Sequence, residues 1–216
     1  MPVTAPFPRG LYALLHSGDV DAARAVLDGG ASLVQLRMKH RSATEVAHAA
    51  RALLPLCQEH QVPLIINDDP YVARDVGADG VHVGQQDMDV ERVREIVGNK
   101  SLVGLSTHTE DQLRVACTKP ALSYIAMGPI YWSSTKSGHA DAVGPEELRR
   151  RVHWLRSFTQ LPVVAIGGIV NEARAQAVAR AGADAFAVAG AIDLVDLSAR
   201  KDAVLRLSTA FQQARS

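Results

Sequence analysis

A (β/α)8 barrel folded as one domain over residues 1–216 is what this sequence predicts, and three observations predict it. Short apolar runs alternate with helix-patterned segments eight times along the chain. The stretches GGASLVQL (29–36), VGADGVHV (76–83) and AGADAFAV (181–188) each set Gly-Ala at a helix end just before an apolar run, so one βα unit recurs. The glycine-rich GxGxxG turn of most doubly wound sheets is absent after the first strand, and no GxxxxGK[ST] segment is present. Strict alternation implies a parallel sheet, and eight units in about 200 residues fit a closed barrel better than an open one.

After a Pro-rich lead, 11–15 is the first strand, and Asp19 opens DVDAARAVLDGG, a helix ended by Gly29-Gly30. The second strand is 33–36. Ser42 caps a helix from Ala43 to about His60, with Glu45 where a capping box needs it. Pro63 precedes the third strand, 64–66, which ends on Asn67-Asp68-Asp69, and a short helix then runs to Gly77. The fourth strand is 80–83, its helix 90–97 and the fifth strand 102–105, with the fifth helix starting near Thr109 and Glu110. The segment SYIAMGPIYWSSTKSG (123–138) supplies the sixth strand and breaks at Gly128-Pro129 into a loop. Pro145, Glu146 and Glu147 start the sixth helix. The seventh strand is 163–166, Asn171 caps the next helix, 185–189 is the eighth strand, and a helix from about 197 to 213 closes the chain.

With 216 residues and 47% hydrophobic content, the chain can bury a substantial core. Basic and acidic residues balance at 23 each, so net charge argues for neither a nucleic acid nor a membrane surface as partner, and a small molecule is expected. Cys57 and Cys117 form neither a metal-binding pair nor a disulfide framework, which points to a reducing, cytoplasmic setting. No apolar run reaches ~18 residues, and no signal-peptide pattern opens the chain. A homo-oligomer is compatible with the sequence, which does not specify one.

In such a barrel the reacting groups sit where strands end at the C-terminal face. Side chains alternate along a strand, so Gln35, Arg37 and Lys39 share one face while Leu36 and Met38 share the other. Two cations in a barrel mouth require negative partners, supplied by a ligand or by acidic residues of neighbouring strands. The third strand ends in Asn67-Asp68 and the fourth runs into His82-Val83-Gly84-Gln85-Gln86-Asp87. Asp68 and Asp87, at adjacent strand tips, suit Mg²⁺; helix capping is the other role open to each, and it is the better one for Asp69 beside Pro70. Ser106 ends the fifth strand and can donate to an anion, while Thr109 caps the following helix. In the loop after the sixth strand, Ser133, Ser134, Thr135 and Lys136 offer hydroxyls and one charge to a phosphate or pyrophosphate, or form a plain solvated turn. Gly167-Gly168 and Ala189-Gly190-Ala191 follow the last two strands, where backbone N–H groups commonly hold a phosphate unless glycine serves only the turn. Two anion sites and a metal imply two phosphorylated substrates.

Six motifs in order then make the chain resemble thiamine phosphate synthase, also called thiamine-phosphate pyrophosphorylase, over essentially its whole length. They are LVQLRMK (33–39), LIINDD (64–69), GVHVGQQD (80–87), GLSTHT (104–109), GPIYWSSTK (128–136) and AIGGI (165–169). The resemblance implies a barrel that joins 4-amino-2-methyl-5-pyrimidinylmethyl diphosphate to a thiazole phosphate, releasing pyrophosphate and forming thiamine phosphate. It implies Gln35, Arg37, Lys39, Asn67, Ser106 and Lys136 as contacts to the pyrimidine diphosphate, within a binding segment that also contains Leu36 and Met38. By the same resemblance, Arg37, Lys39, Ser106 and Lys136 are expected to carry the catalytic role, and Asp68 and Asp87 to hold Mg²⁺. Ser133, Ser134, Thr135, Gly168, Ala189 and Gly190 occupy positions that in the family hold the thiazole phosphate. Pyrophosphate leaves first, and the thiazole nitrogen captures the resulting cation, so no strong base is required and His108 is expected to shape a loop. The chain departs from the family pattern at Trp132-Ser133, where Pro-Thr is usual, at Gly190, where Ser is usual, and at Leu14-Leu15-His16, where Thr-Asp is common. A thiazole tautomerase of related fold, which needs no pyrophosphate site, and a non-catalytic barrel that only binds a phosphorylated metabolite are the alternatives.

Overall fold

A computed structural model describes residues 7–132 and 142–215. The strands are β1 (Gly10–Leu15), β2 (Leu33–Leu36), β3 (Leu64–Asn67), β4 (Gly80–Val83), β5 (Leu102–Thr107), β6 (Tyr124–Met127), β7 (Val163–Ile166) and β8 (Ala185–Val188). The helices between and after them are α1 (Val20–Asp28), α2 (Ala43–Glu59), α3 (Pro70–Val76), α4 (Val90–Val97), α5 (Glu110–Cys117), α6 (Gly144–Arg156), α7 (Glu172–Arg180) and α8 (Leu197–Arg215). All strands pair in parallel with their sequence neighbours, and β8 returns to β1 through Gly10 opposite Ala185, which closes the barrel. The fold class read from the sequence is the one observed.

Local chemistry sets most boundaries. Asp19 accepts from the Asp21 and Ala22 N–H groups and starts α1. Ser42 and Glu45 form the complete capping box of α2. Asp69 accepts from Val72 N–H at 2.9 Å and caps α3, which stops at Gly77 in the left-handed region with φ 73°. β1 and β3 each run one residue beyond the sequence reading, and the differences at β5 and β8 concern polar or very short segments. β5 runs two residues further than its apolar core, because Ser106 and Thr107 stay in register with Ala126 and Met127 of β6. β8 stops at Val188, and Gly190–Ile192 forms a single 3₁₀ turn.

Alternation along the strands divides the core in two. Val34, Leu36, Ile66, Val81, Val83 and their counterparts point outward and pack beneath the helices. Tyr12, Leu14, Leu33, Ile65, Leu102, Tyr124 and Val164 point inward and fill the barrel, with Ile166 and Ala189 above them. The interior is thus packed but unusually polar, since it holds two tyrosines.

The N-terminal face is tied by charge. Asp184, just before β8, is nearly buried; its carboxylate meets Arg156 at 2.7 Å, Arg9 at 3.4 Å and Arg215 at 3.6 Å, and accepts the Val163 N–H at 2.9 Å. Chain segments next to β1, β7 and β8 and the ends of α6 and α8 therefore meet at one carboxylate. Arg94 does similar work under β5 and β6, donating to the carbonyls of Gly98, Ser101 and Ala121 and to Ser123 Oγ. Among the described residues, no helix is long and apolar enough to cross a membrane.

Candidate active site

The C-terminal ends of β2 to β5 carry Gln35, Arg37, Lys39, Asn67 and Ser106, five of the residues that sequence reading assigned to a diphosphate; the sixth, Lys136, lies outside the described residues. Arg37 follows β2 directly, and its N–H donates to Leu15 O at 2.8 Å, which keeps the backbone extended past the strand end. Its side chain is half-buried, and among the described residues no carboxylate lies within ion-pair distance of it. Lys39 differs: it is exposed and pairs through Nζ with Asp68 Oδ2 from the neighbouring strand tip. Of the two cations, Lys39 has an internal carboxylate partner and Arg37 has none among the described residues.

Asp68 adopts a left-handed backbone with φ 65°, a conformation Asp tolerates better than most residues. Its N–H donates to His82 O at 2.8 Å, which ties the end of β3 to β4. Asp87 lies in the turn after β4, where its Oδ2 accepts the Gly84 N–H at 2.7 Å. Helix capping explains neither carboxylate, because Asp69 caps α3 and Asp89 caps α4. Among the described residues, no set of three or more His, Cys, Asp or Glu side chains gathers to hold a metal. Two carboxylates at adjacent tips are the donor set that Mg²⁺ takes when waters and a substrate phosphate complete the shell.

The other assigned positions divide into those near the mouth and those sealed away. Asn67 ends β3 on the inward side, following Ile65. Gln35 is inward and buried, whereas Leu36 is fully buried beneath the helices, so only its backbone is placed to meet a ligand; Met38 packs against the same outer layer. Ser133, Ser134, Thr135 and Lys136 lie outside the described residues.

On the opposite side of the mouth the β6 and β7 ends press together. Ile130 N–H donates to Ile166 O at 2.9 Å and Tyr131 N–H to Gly167 O at 3.0 Å. Gly168 has φ 65°, and a Cβ there would lie 2.7 Å from Trp132 O and 2.8 Å from Tyr131 Cβ, so only glycine allows this approach. Arg174 of α7 donates to Gly168 O at 2.6 Å and stacks on the Tyr131 ring, with its guanidinium carbon 4.5 Å from the ring centroid. Ala189 and Gly190 follow β8, with Gly190 opening the 3₁₀ turn outside the left-handed region. His108 Nδ1 lies 2.6 Å from Gly128 O, the loop-shaping contact expected of it.

Sequence reading missed a hydrogen-bonded chain through the barrel centre. Gln35 Nε2 donates to Tyr12 Oη at 2.8 Å, and Tyr12 Oη lies 3.0 Å from Tyr124 Oη. Tyr124 Oη in turn lies 3.0 Å from His82 Nδ1, and His82 Nε2 is 2.9 Å from Ser106 Oγ. Burial raises the pKa of both tyrosines well above that of a free phenol, so they are neutral hydroxyls. The signal available in the sequence was a polar residue at the inward position of four strands: Tyr12, Gln35, His82 and Tyr124.

Residues 11–192 match the family model described as thiamine monophosphate synthase. The chain is 40% identical over 200 residues to the thiamine-phosphate synthase of Geobacillus kaustophilus, covering 91% of this chain and 86% of that one. It is 42% identical over 181 residues to that of Chloroflexus aurantiacus, covering 84% and 79%. The solved thiamine phosphate pyrophosphorylase of Pyrococcus furiosus superposes with a TM-score of 0.82 at 28% identity, over 96% of this chain and 97% of that one.

Proposed function

The chain belongs to the thiamine monophosphate synthase family, and from that premise we infer how its barrel mouth works. It is a transferase of thiamine biosynthesis that condenses 4-amino-2-methyl-5-pyrimidinylmethyl diphosphate with a thiazole phosphate, giving thiamine phosphate and pyrophosphate. The observation that carries the site assignment is Arg37, a half-buried cation without a carboxylate partner among the described residues, two residues before Lys39 of the Lys39–Asp68 pair. A buried charge without a partner is costly, and a diphosphate supplies what Arg37 lacks.

In the reaction the bond from the pyrimidinylmethyl carbon to the diphosphate oxygen breaks, and its electron pair stays on that oxygen. The thiazole nitrogen then gives its lone pair to the carbon, forming the new C–N bond. Negative charge grows on the departing diphosphate, so fixed positive charge lowers the barrier, and Arg37, Lys39 and Lys136 are the groups assigned to supply it. Asp68 keeps Lys39 at the strand tips until the diphosphate competes for it. Bound Mg²⁺ would be held by Asp68 and Asp87 and would neutralise charge on the diphosphate oxygens. Gln35, Asn67 and Ser106 serve the same substrate from the inward side. Gly168, Ala189 and Gly190, with Ser133, Ser134 and Thr135, serve the thiazole phosphate across the mouth.

Purified protein mixed with Mg²⁺ and both substrates forms thiamine phosphate and pyrophosphate in equal amounts. Folded protein that forms neither contradicts the reading. Both cysteines are free thiols, and Cys57 is buried with its pKa pushed up to about 12, chiefly by burial and secondarily by the Asp79 charge. Such thiols fit a reducing cytoplasm, where we place the protein.

A further expectation concerns Gly190, which stands where the family usually has Ser. Its backbone lies outside the left-handed region, so conformation alone does not require glycine there. A restored hydroxyl donor to a phosphate is typically worth about 1.5–3 kcal/mol, part of which water already supplies. Gly190→Ser lowers the Michaelis constant for the thiazole phosphate by roughly tenfold, equivalent to about 1.4 kcal/mol, and leaves that for the pyrimidine diphosphate unchanged. Equal effects on both constants would remove Gly190 from the thiazole side.

A further inference from the structure

The chain of hydrogen bonds through the barrel has a direction, and counting protons fixes it. Gln35 donates its amide N–H to Tyr12 Oη, so the single Tyr12 hydroxyl hydrogen goes to its other partner, Tyr124. Tyr124 has then accepted, and its own hydrogen goes to His82 Nδ1. A ring nitrogen that accepts carries no proton, so the neutral imidazole bears its proton on Nε2 and donates it to Ser106 Oγ. Ser106 accepts on that side, which leaves its O–H directed away from His82. The opposite polarity, with His82 Nδ1 donating to Tyr124 and Tyr124 to Tyr12, would leave the buried Tyr12 hydrogen without an acceptor, because Gln35 also donates to the Tyr12 oxygen. A protonated His82 would donate from Nδ1 as well, leaving the Tyr124 hydrogen without an acceptor in a fully buried place.

A second observation is independent of proton counting. Gly104 of β5 sits beside this hand-off, and a Cβ built there would lie 2.5 Å from His82 Nδ1 and collide with the Tyr124 ring and hydroxyl. Its backbone is not left-handed, so glycine is present here for space and not for conformation. The His82 ring stacks on Tyr124 with centroids 5.5 Å apart, and the Phe7 ring also packs on Tyr124 at 4.9 Å, so two rings hold the phenol in place.

We propose that Tyr124 is a positioning residue: backed by Tyr12 and Gln35, it locks His82 in the tautomer with the proton on Nε2 and thereby presents Ser106 to the barrel mouth as a hydrogen-bond donor. The kinetic consequence rests on the assignment of Ser106 to the pyrimidine diphosphate; the tautomer does not.

The test is nitrogen-15 spectroscopy of histidine-labelled protein, with the His82 signal assigned by its loss in His82→Asn. The wild type shows a single neutral tautomer protonated at Nε2. Tyr124→Phe keeps the ring, lets His82 populate both tautomers, and lowers kcat/KM for the pyrimidine diphosphate roughly tenfold, the scale of one hydrogen bond. Ser106→Ala gives a similar kinetic loss with the tautomer still fixed, because Ser106 lies downstream of His82. A wild-type proton on Nδ1 overturns the relay, and that spectrum decides even if Tyr124→Phe fails to fold. A tautomer unmoved by Tyr124→Phe overturns it too. A fixed tautomer combined with unchanged kinetics in Ser106→Ala leaves the relay standing and overturns its role in the reaction.

Discussion

Asp87→Asn folds like the wild type and loses Mg²⁺-dependent turnover by roughly 10²–10³-fold, the usual scale for removing one preorganised charge-stabilising group. The fold survives because the structural task of this side chain is to accept the Gly84 N–H, and the Asn carbonyl oxygen accepts it equally well. The α4 N-terminus is untouched, since Asp89 caps it. What the amide removes is negative charge, and with it half of the carboxylate pair proposed to hold the ion at the β3 and β4 tips. The expected signature is a Mg²⁺ titration of turnover displaced to higher concentration with a reduced plateau, at an unchanged melting temperature. Normal turnover at limiting Mg²⁺ would restrict Asp87 to holding its own turn.

Asp184→Ala lowers stability by about 3–5 kcal/mol, the cost of breaking a buried ionic cluster by removing one partner. The variant leaves Arg156 and Arg215 facing each other beneath the barrel and strands the Val163 N–H at the start of β7. For a chain of this size that corresponds to a fall in melting temperature of roughly 6–20 °C. Substrate constants below the transition stay at wild-type values, because the cluster occupies the N-terminal face and the proposed reacting groups the other. Denaturant unfolding followed with steady-state kinetics checks both halves. A melting temperature within a degree or two of wild type would mean that the three arginines are held by their other contacts alone.

The sequence carried whatever local chemistry decides. Ser42 with Glu45, Asp69 beside Pro70, and Gly77 mark helix ends through bonds that span four residues or fewer, and the structure places all of them as read. The assigned residues of β2 to β5 reach one mouth because strand alternation and barrel topology place them there, and both were legible. The end of β5 was not, since Ser106 and Thr107 are held in the strand by β6 and not by their own propensity. The Asp184 cluster was not legible either: it joins residues as far apart in sequence as Arg9 and Arg215, and nothing local marks them as partners. The relay from Gln35 to Ser106 is intermediate. Each member could be assigned inward from its strand position, but the meeting of Tyr12 with Tyr124, 112 residues away, is a product of barrel closure and stagger.

The arrangement of the mouth is tested most directly by crystals grown with pyrophosphate and Mn²⁺, an ion whose anomalous scattering locates it without ambiguity. The account predicts one strong peak bound by Asp68 and Asp87 and sharing oxygens with a pyrophosphate that lies against Arg37 and Lys39. A peak remote from both carboxylates, or pyrophosphate seated on the Gly168 side of the mouth, would contradict it.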